Sequence, residues 1–176
     1  MNRQTKIIII LLAIFAVIIG GALFLNRDVM EAGKAAQKSR TITVTSAGET
    51  LCVLNEDTIK ALPAETFEAT VRSHGMKPEP AVYKGVEIHD FLKSAGMEVK
   101  GGDRLYFKGA DTYLVTVEAK ELQEQGHIYI VYEKDGREMQ PRAEGGEGPY
   151  QVILLSDAFS QRWCKFLSEV EWERAE

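Results

Sequence analysis

The chain has 176 residues, 26 of them acidic against 21 basic, for a formal charge of −5. That length suits one compact domain, and the acidity argues against nucleic acid or an anionic lipid surface as the partner. With 2 cysteines and 3 histidines, neither a disulfide scaffold nor a zinc framework is within reach.

The N-terminus differs in composition from the rest. No charged residue occurs from Ile7 to Leu25, and at about 1.5 Å per residue that run reaches roughly 28 Å, close to the ~30 Å of a hydrocarbon core. Arg3 and Lys6 precede it, so the positive-inside rule holds the N-terminus in the cytoplasm and sends the remainder outside. Gly20 and Ala22 offer a small-x-small cleavage site, the competing reading of a signal peptide. The length of the apolar run favours an uncleaved membrane anchor over 1–25. Every acidic residue lies beyond it, leaving 21 − 2 = 19 basic against 26 acidic, a charge of −7 on the exported part. Residues 26–40, rich in Ala, Lys, Gln and Glu, read as a juxtamembrane spacer, and 41–176 as one extracytoplasmic domain.

That domain opens with the alternating, β-branched Thr41 to Thr45, a turn at Gly48 and a second strand from Thr50 to Leu54. Asn55 caps a short helix through Ile59 and Leu62 that Pro63 ends. Thr66 to Arg72 reads as a strand delivering Ser73-His74-Gly75 into a loop. Pro78 and Pro80 break regular structure, and Lys84-Gly85 supplies a turn. Ile88, Phe91, Leu92 and Ala95 then carry helical spacing from about Val86 to Ala95, with Gly96 as a left-handed cap.

Arg104 to Lys108 and Tyr113 to Val117 read as strands around Gly109-Ala110-Asp111-Thr112, followed by a helical turn, Lys120 to Gln125, that Gly126 stops. His127 to Glu133 and Tyr150 to Leu155 are strongly β-forming. Between them stand a tight turn, Lys134 to Arg137, and a loop, Glu144 to Pro149. Trp163 to Trp172 is a closing strand with Cys164, Phe166, Val170 and Trp172 on its apolar face. The fold class is α+β: a strand-dominated mixed-sheet domain with two or three short helices, preceded by one transmembrane helix.

Leu62-Pro63, Ser73-His74-Gly75, Tyr83-Lys84-Gly85-Val86 with Phe91-Leu92 and Gly96, Gly109 to Tyr113, Val131-Tyr132-Glu133 with Gly136, Gly148-Pro149 and Arg162-Trp163-Cys164-Lys165 stand in an order of their own. That order resembles the molybdopterin-binding domain of the sulfite-oxidase type over roughly Glu56 to Trp172. In that family a cysteine two residues before a glycine binds molybdenum, an arginine follows the Gly-Pro-like turn, and a lysine follows the C-terminal tryptophan. The resemblance puts Ser73 at the ligand position and Gln151 at the arginine position, while Arg162 and Lys165 remain. A neutral hydroxyl is a harder donor than a thiolate, and an amide lacks the guanidinium fork that grips phosphate. Glu144 and Glu147 beside the Gly-Pro turn would repel an anionic cofactor.

The expectation is therefore a metal-free ligand- or partner-binding module, with no cofactor and no catalytic residue. A small anionic ligand or an envelope protein is the expected partner, near Arg72, Ser73, His74, Tyr113, Arg162 and Lys165. The alternative is a working molybdenum-cofactor oxidoreductase with a serine ligand, coupled to a membrane electron-transfer partner. His74, His89 and His127 show no metal-ligand pairing, and no nucleophile elbow accompanies Ser73-His74. Cys52 and Cys164, in an oxidising compartment, either form one disulfide or stay as two separate thiols.

Overall fold

The structure is a computed structural model that describes residues 3–25, Ala35 and 40–175. The chain divides into two units, Met1–Ala35 and Ala36–Glu176. In the first, α1 (Arg3–Leu25) is a helix of 23 residues, with side chains described at Thr5, Ile9 and 11–21. Among the described residues no helix is long and apolar enough to cross a membrane. The expected spacer lies outside the described residues except for Ala35 and Arg40.

Among its described residues the second unit holds ten strands in two sheets, two short α-helices and three single 3-10 turns. The first sheet uses β1 (Thr41–Ser46), β2 (Glu49–Asn55), β5 (Arg104–Gly109), β6 (Leu114–Glu118) and β10 (Leu167–Glu173), in the order β2-β1-β10-β5-β6. The second uses β3 (Ala64–Val71), β4 (Glu79–Glu87), β7 (Ile128–Lys134), β8 (Arg137–Glu138) and β9 (Gln151–Leu154). Its order is β3-β4-β7-β8, with β9 also on β7. β1 and β10 run parallel and the other pairs are antiparallel, so the first sheet is mixed. This is the expected strand-dominated α+β class.

Alternation builds the shared core. Ile42 and Val44 of β1, Leu105 and Phe107 of β5, and Val115 and Val117 of β6 all turn one face inward. There they meet Val86, Ile128, Ile130, Tyr132, Val152 and Leu154 of the second sheet. α2 (Glu56–Lys60) starts where Asn55 Oδ1 accepts the Thr58 N–H at 2.9 Å, as the cap residue implied. α3 (Ile88–Ser94) buries Ile88, Phe91 and Leu92 and ends at Gly96, whose φ of 70° is left-handed.

Two stretches depart from expectation. Lys84-Gly85 is no turn but part of β4, and α3 is shorter than predicted. Val86 pairs with both Ala64 and Ile130 and is fully buried, so the ladder claims it before the helix can. Gly85 is there for close approach: a Cβ would sit 2.4 Å from the Ile130 carbonyl oxygen. Pro80 is tolerated because β7 joins β4 only from Tyr83 onward, so its missing N–H breaks no ladder on that side.

Secondly, the closing strand begins at Leu167. Phe166 has φ 56°, and the register shifts between Leu167 and Glu169. That irregularity inverts the alternation, burying Leu167 and leaving Phe166 half-buried.

Cys52 and Cys164 are free thiols. Cys52 pairs with Val44, Val44 with Val170 and Val170 with Phe107, whose carbonyl lies 3.6 Å from Cys164 Sγ. Three strand spacings separate Cys52 from that carbonyl, about 14 Å and beyond the reach of a disulfide. Burial pushes the Cys164 thiol up to about 12.

Candidate functional site

The outer face of the second sheet carries a second apolar layer. Central strand β7 is an unbroken β-forming run, IYIVY, buried from Ile128 to Tyr132 on both faces. On the side away from the shared core, Tyr129 and Val131 meet Ala69, Ala81, Tyr83, Met139, Ile153 and Trp163. The rings pack with direction: Phe67 and Tyr129 lie 4.4 Å apart, and Tyr83 meets Trp163 edge-on at 6.0 Å. Trp163 Nε1 donates to the Leu154 carbonyl at 3.2 Å, and Tyr129 donates its hydroxyl to Glu65 at 2.9 Å. Burial, with Glu65 as a close anion, pushes the Tyr129 phenol up to about 12.

Two buried polar atoms on this face find no partner among the described residues: the Tyr83 hydroxyl and Gln151 Oε1. Tyr83 is wholly buried and Gln151 is 1% exposed. An orphaned buried polar group costs about 1–3 kcal/mol, so a pair of them calls for a reason.

Beside them stands an ion triad. Glu147 Oε1 accepts from Lys165 Nζ at 2.5 Å and Oε2 from Lys134 Nζ at 3.1 Å. Burial pushes the Glu147 carboxyl up, but the hydrogen bonds from Lys165 and Lys134 outweigh it and hold the group below the usual carboxylate range. Lys134 also lies 5.9 Å from the centre of the Tyr83 ring. Next to the triad a cavity of about 350 Å3 is lined by Lys134, Asp135, Arg137, Glu138, Met139 and Glu147.

The structure does not gather the six predicted residues into one site. Ser73 and His74 are exposed in the β3–β4 loop, where the Ser73 carbonyl accepts the Met76 N–H at 3.2 Å. Arg72 is exposed, its backbone tied to Ser160 by bonds of 2.9 and 3.0 Å. Tyr113 is 45% exposed and donates its hydroxyl to the Gln161 carbonyl. Arg162 is committed to carboxylates, donating to both oxygens of Asp157 at 2.9 and 2.5 Å and to Glu121 at 2.7 Å. Lys165 alone of the six reaches the triad, and alternation from Ile153 and Trp163 puts Gln151 on the same face.

Tyr83, Lys134, Arg137 and Met139 were missed as site residues because cross-strand register is not written in local sequence. A real Ser–His contact was missed too. His127 Nδ1 accepts the Ser156 N–H at 3.3 Å and meets its hydroxyl, closing the end of the β7–β9 pair. His89 is half-exposed and bonded to Glu87 at 2.6 Å.

The residues present do not fit the molybdenum cofactor. Its anionic parts need free cations, and both Arg162 and Lys165 are already neutralised by carboxylates. Ser73, at the metal-ligand position of the resemblance, lies exposed in the β3–β4 loop. Glu147, expected to repel such a cofactor, instead accepts from Lys165 and from Lys134, while Glu144 is exposed.

No family model matches the chain, and no curated protein does. Among solved structures the fold is similar to the crystal structure of the sulfane dehydrogenase SoxCD from Paracoccus pantotrophus, with a TM-score of 0.62 at 13% identity. The match covers 79% of this chain but 39% of that one. The likeness is one of fold alone: a strand-dominated α+β domain.

Proposed function

We propose that this chain is a membrane-tethered, extracytoplasmic module that binds a small anionic ligand or an envelope protein at the outer face of its second sheet, and does so without molybdenum. The carrying observation is Glu147, held between Lys165 at 2.5 Å and Lys134 at 3.1 Å. An internal carboxylate thus takes up Lys165, the lysine that the resemblance assigns to the cofactor, which supports the metal-free reading. The tether rests on the charge-free run Ile7 to Leu25 behind Arg3 and Lys6.

The deciding experiment is the molybdenum and pterin content of the full chain made in a host able to supply the cofactor. Molybdenum far below one atom per chain is expected. Stoichiometric metal, lost on Ser73→Ala, would replace this reading with that of a working oxidoreductase. Protease added to intact cells or protoplasts tests the topology separately: the domain is digested while a short N-terminal piece stays with the membrane. A soluble mature form beginning near Leu23 would make the N-terminus a signal peptide instead.

A further inference from the structure

We propose that the open edge of β2 is a homodimer interface, at which two copies of this chain pair their β2 strands antiparallel and join their first sheets into one. The inference is independent of the binding reading above, which uses the outer face of the second sheet.

β2 is an end strand of the first sheet, and among the described residues it is laddered to β1 alone. Its other edge therefore presents a row of backbone N–H and C=O groups to any strand that comes alongside. Folded sheets guard such edges with charge, proline or shortness. β3 carries Glu65 and Glu68, β6 has five residues and ends on Glu118, and β8 has two residues. β2 has seven residues with no proline and no lysine, and its one charge, Glu49, stands at the first position. On its outward row Leu51 is 44% and Val53 55% exposed.

Register and charge make the occupant a second copy. Antiparallel pairing about Cys52 sets Leu51 opposite Val53 of the second copy, and the twofold repeats the contact, so four aliphatic side chains form one row. Thr50 then faces Leu54, and Glu49 faces the neutral Asn55. Pairing about Leu51 would put Glu49 on Val53, and pairing about Val53 would put it on Asp57, a like charge. Seven residues a side fall short of the roughly 20–30 of a standard interface, so the dimer is an exchangeable one, with a dissociation constant on the order of 10–100 micromolar.

Cys52 reports on this register directly. It stands opposite Cys52 of the second copy, and directly opposed residues have Cα atoms about 4.5–5.5 Å apart, within the roughly 4.4–6.8 Å that a disulfide spans. Cys164 is wholly buried, which leaves Cys52 as the thiol within reach of a reagent.

The test uses the full chain in detergent micelles. Sedimentation velocity should show dimers that grow with concentration. Diamide, which takes up the two electrons and two protons released as the S–S bond forms, should link the copies through a Cys52–Cys52 peptide identified by mass spectrometry. Leu51→Lys and Val53→Glu, both at exposed positions, should each weaken self-association roughly tenfold by setting an unpaired charge against an aliphatic side chain. Their equimolar mixture should recover it, because position 51 of one copy faces position 53 of the other: one ion pair forms and one aliphatic contact is kept. Thr116→Lys, on the exposed row of β6, should leave association unchanged.

Monomers up to about 1 mM, the behaviour of an edge kept for another protein's strand, would overturn the proposal. So would a dimer that survives both single variants, a mixture no tighter than either variant alone, or a dimer that diamide does not link at Cys52.

Discussion

The two sheets have the same number of strands and treat their faces differently. The first sheet has one dry face and one wet one: behind Ile42, Val44, Phe107 and Val170 lie Thr45, Lys108, Glu169 and Glu171, linked by ion pairs of 2.7 and 3.0 Å. The second sheet is dry on both along β7 and β9, and its outer layer keeps two polar atoms without partners among the described residues. Exposed ion pairs of the first kind contribute about 0–1 kcal/mol each and specify little. A buried aromatic layer with unmet donors and acceptors is costly to maintain, and such costs gather at sites of function.

If the outer layer is a second core, it should answer to truncation as the first does. Phe107→Ala, in the shared core, should cost about 3–5 kcal/mol in urea unfolding. Trp163→Ala should cost a similar amount, about 3 kcal/mol or more. A loss below about 1 kcal/mol for Trp163 would reduce the outer layer to surface decoration and break the comparison. Next in size, Gly85→Ala forces a methyl against the Ile130 carbonyl and should cost about 1–3 kcal/mol, read as a lower denaturation midpoint with an unchanged slope.

Two tyrosines sharpen the contrast within the second sheet. Tyr129→Phe removes a hydroxyl bonded to Glu65 and should lose about 1 kcal/mol. Tyr83→Phe removes an orphan and should be neutral or gain about 1 kcal/mol. Equal losses in the two would mean that the Tyr83 hydroxyl has a partner after all.

The smallest effect appears only in acid, in the first sheet. Asp103 accepts N–H bonds from Lys100, Ala175 and the Trp172 indole at 2.9 Å each, and the Lys100 bond leads in holding its carboxyl below the usual range. A depressed folded-state pKa contributes stability that is present above the unfolded pKa and fades as pH falls through the folded one. Thermal unfolding measured from neutral pH down through the carboxylate range should therefore show a shallower acid decline in Asp103→Asn than in wild type. Parallel declines would remove Asp103 from the account.

The same difference between sheets governs what the sequence reveals. β1, β2, β5 and β6 alternate cleanly because one face is wet, so period-two patterning finds them. Asn55 and Gly96 mark helix ends through cap chemistry that is local by nature. Lys84-Gly85 misleads because the glycine answers to a strand 46 residues away, Gly85 facing Val131. Phe166 misleads because its positive φ turns Leu167 inward in its place, and the register shift that follows returns Val170 and Trp172 to the expected face. For the site, composition locates the cations Arg162 and Lys165 but not the carboxylates Asp157, Glu121 and Glu147 that consume them. The pairing of Tyr83 with Lys134 exists only once two strands are in register.

The parallel pairing of β1 with β10 bears on how the domain comes to exist at all. Thr45 donates its hydroxyl to Glu169 across 124 positions of chain, and β10 is the middle strand of its sheet. Until that last strand has been made, β1–β2 and β5–β6 are two hairpins with no common neighbour. A chain emerging N-terminus first thus carries the first sheet's apolar faces uncovered for nearly the whole of its synthesis. The late closure is an entropic penalty that slows folding and lengthens exposure to chaperones and proteases. Joining the C-terminal strand ahead of β1 in a circular permutant would bring these neighbours together early. Such a chain should reach the same native sheet with faster folding, as stopped-flow fluorescence of Trp172 would register.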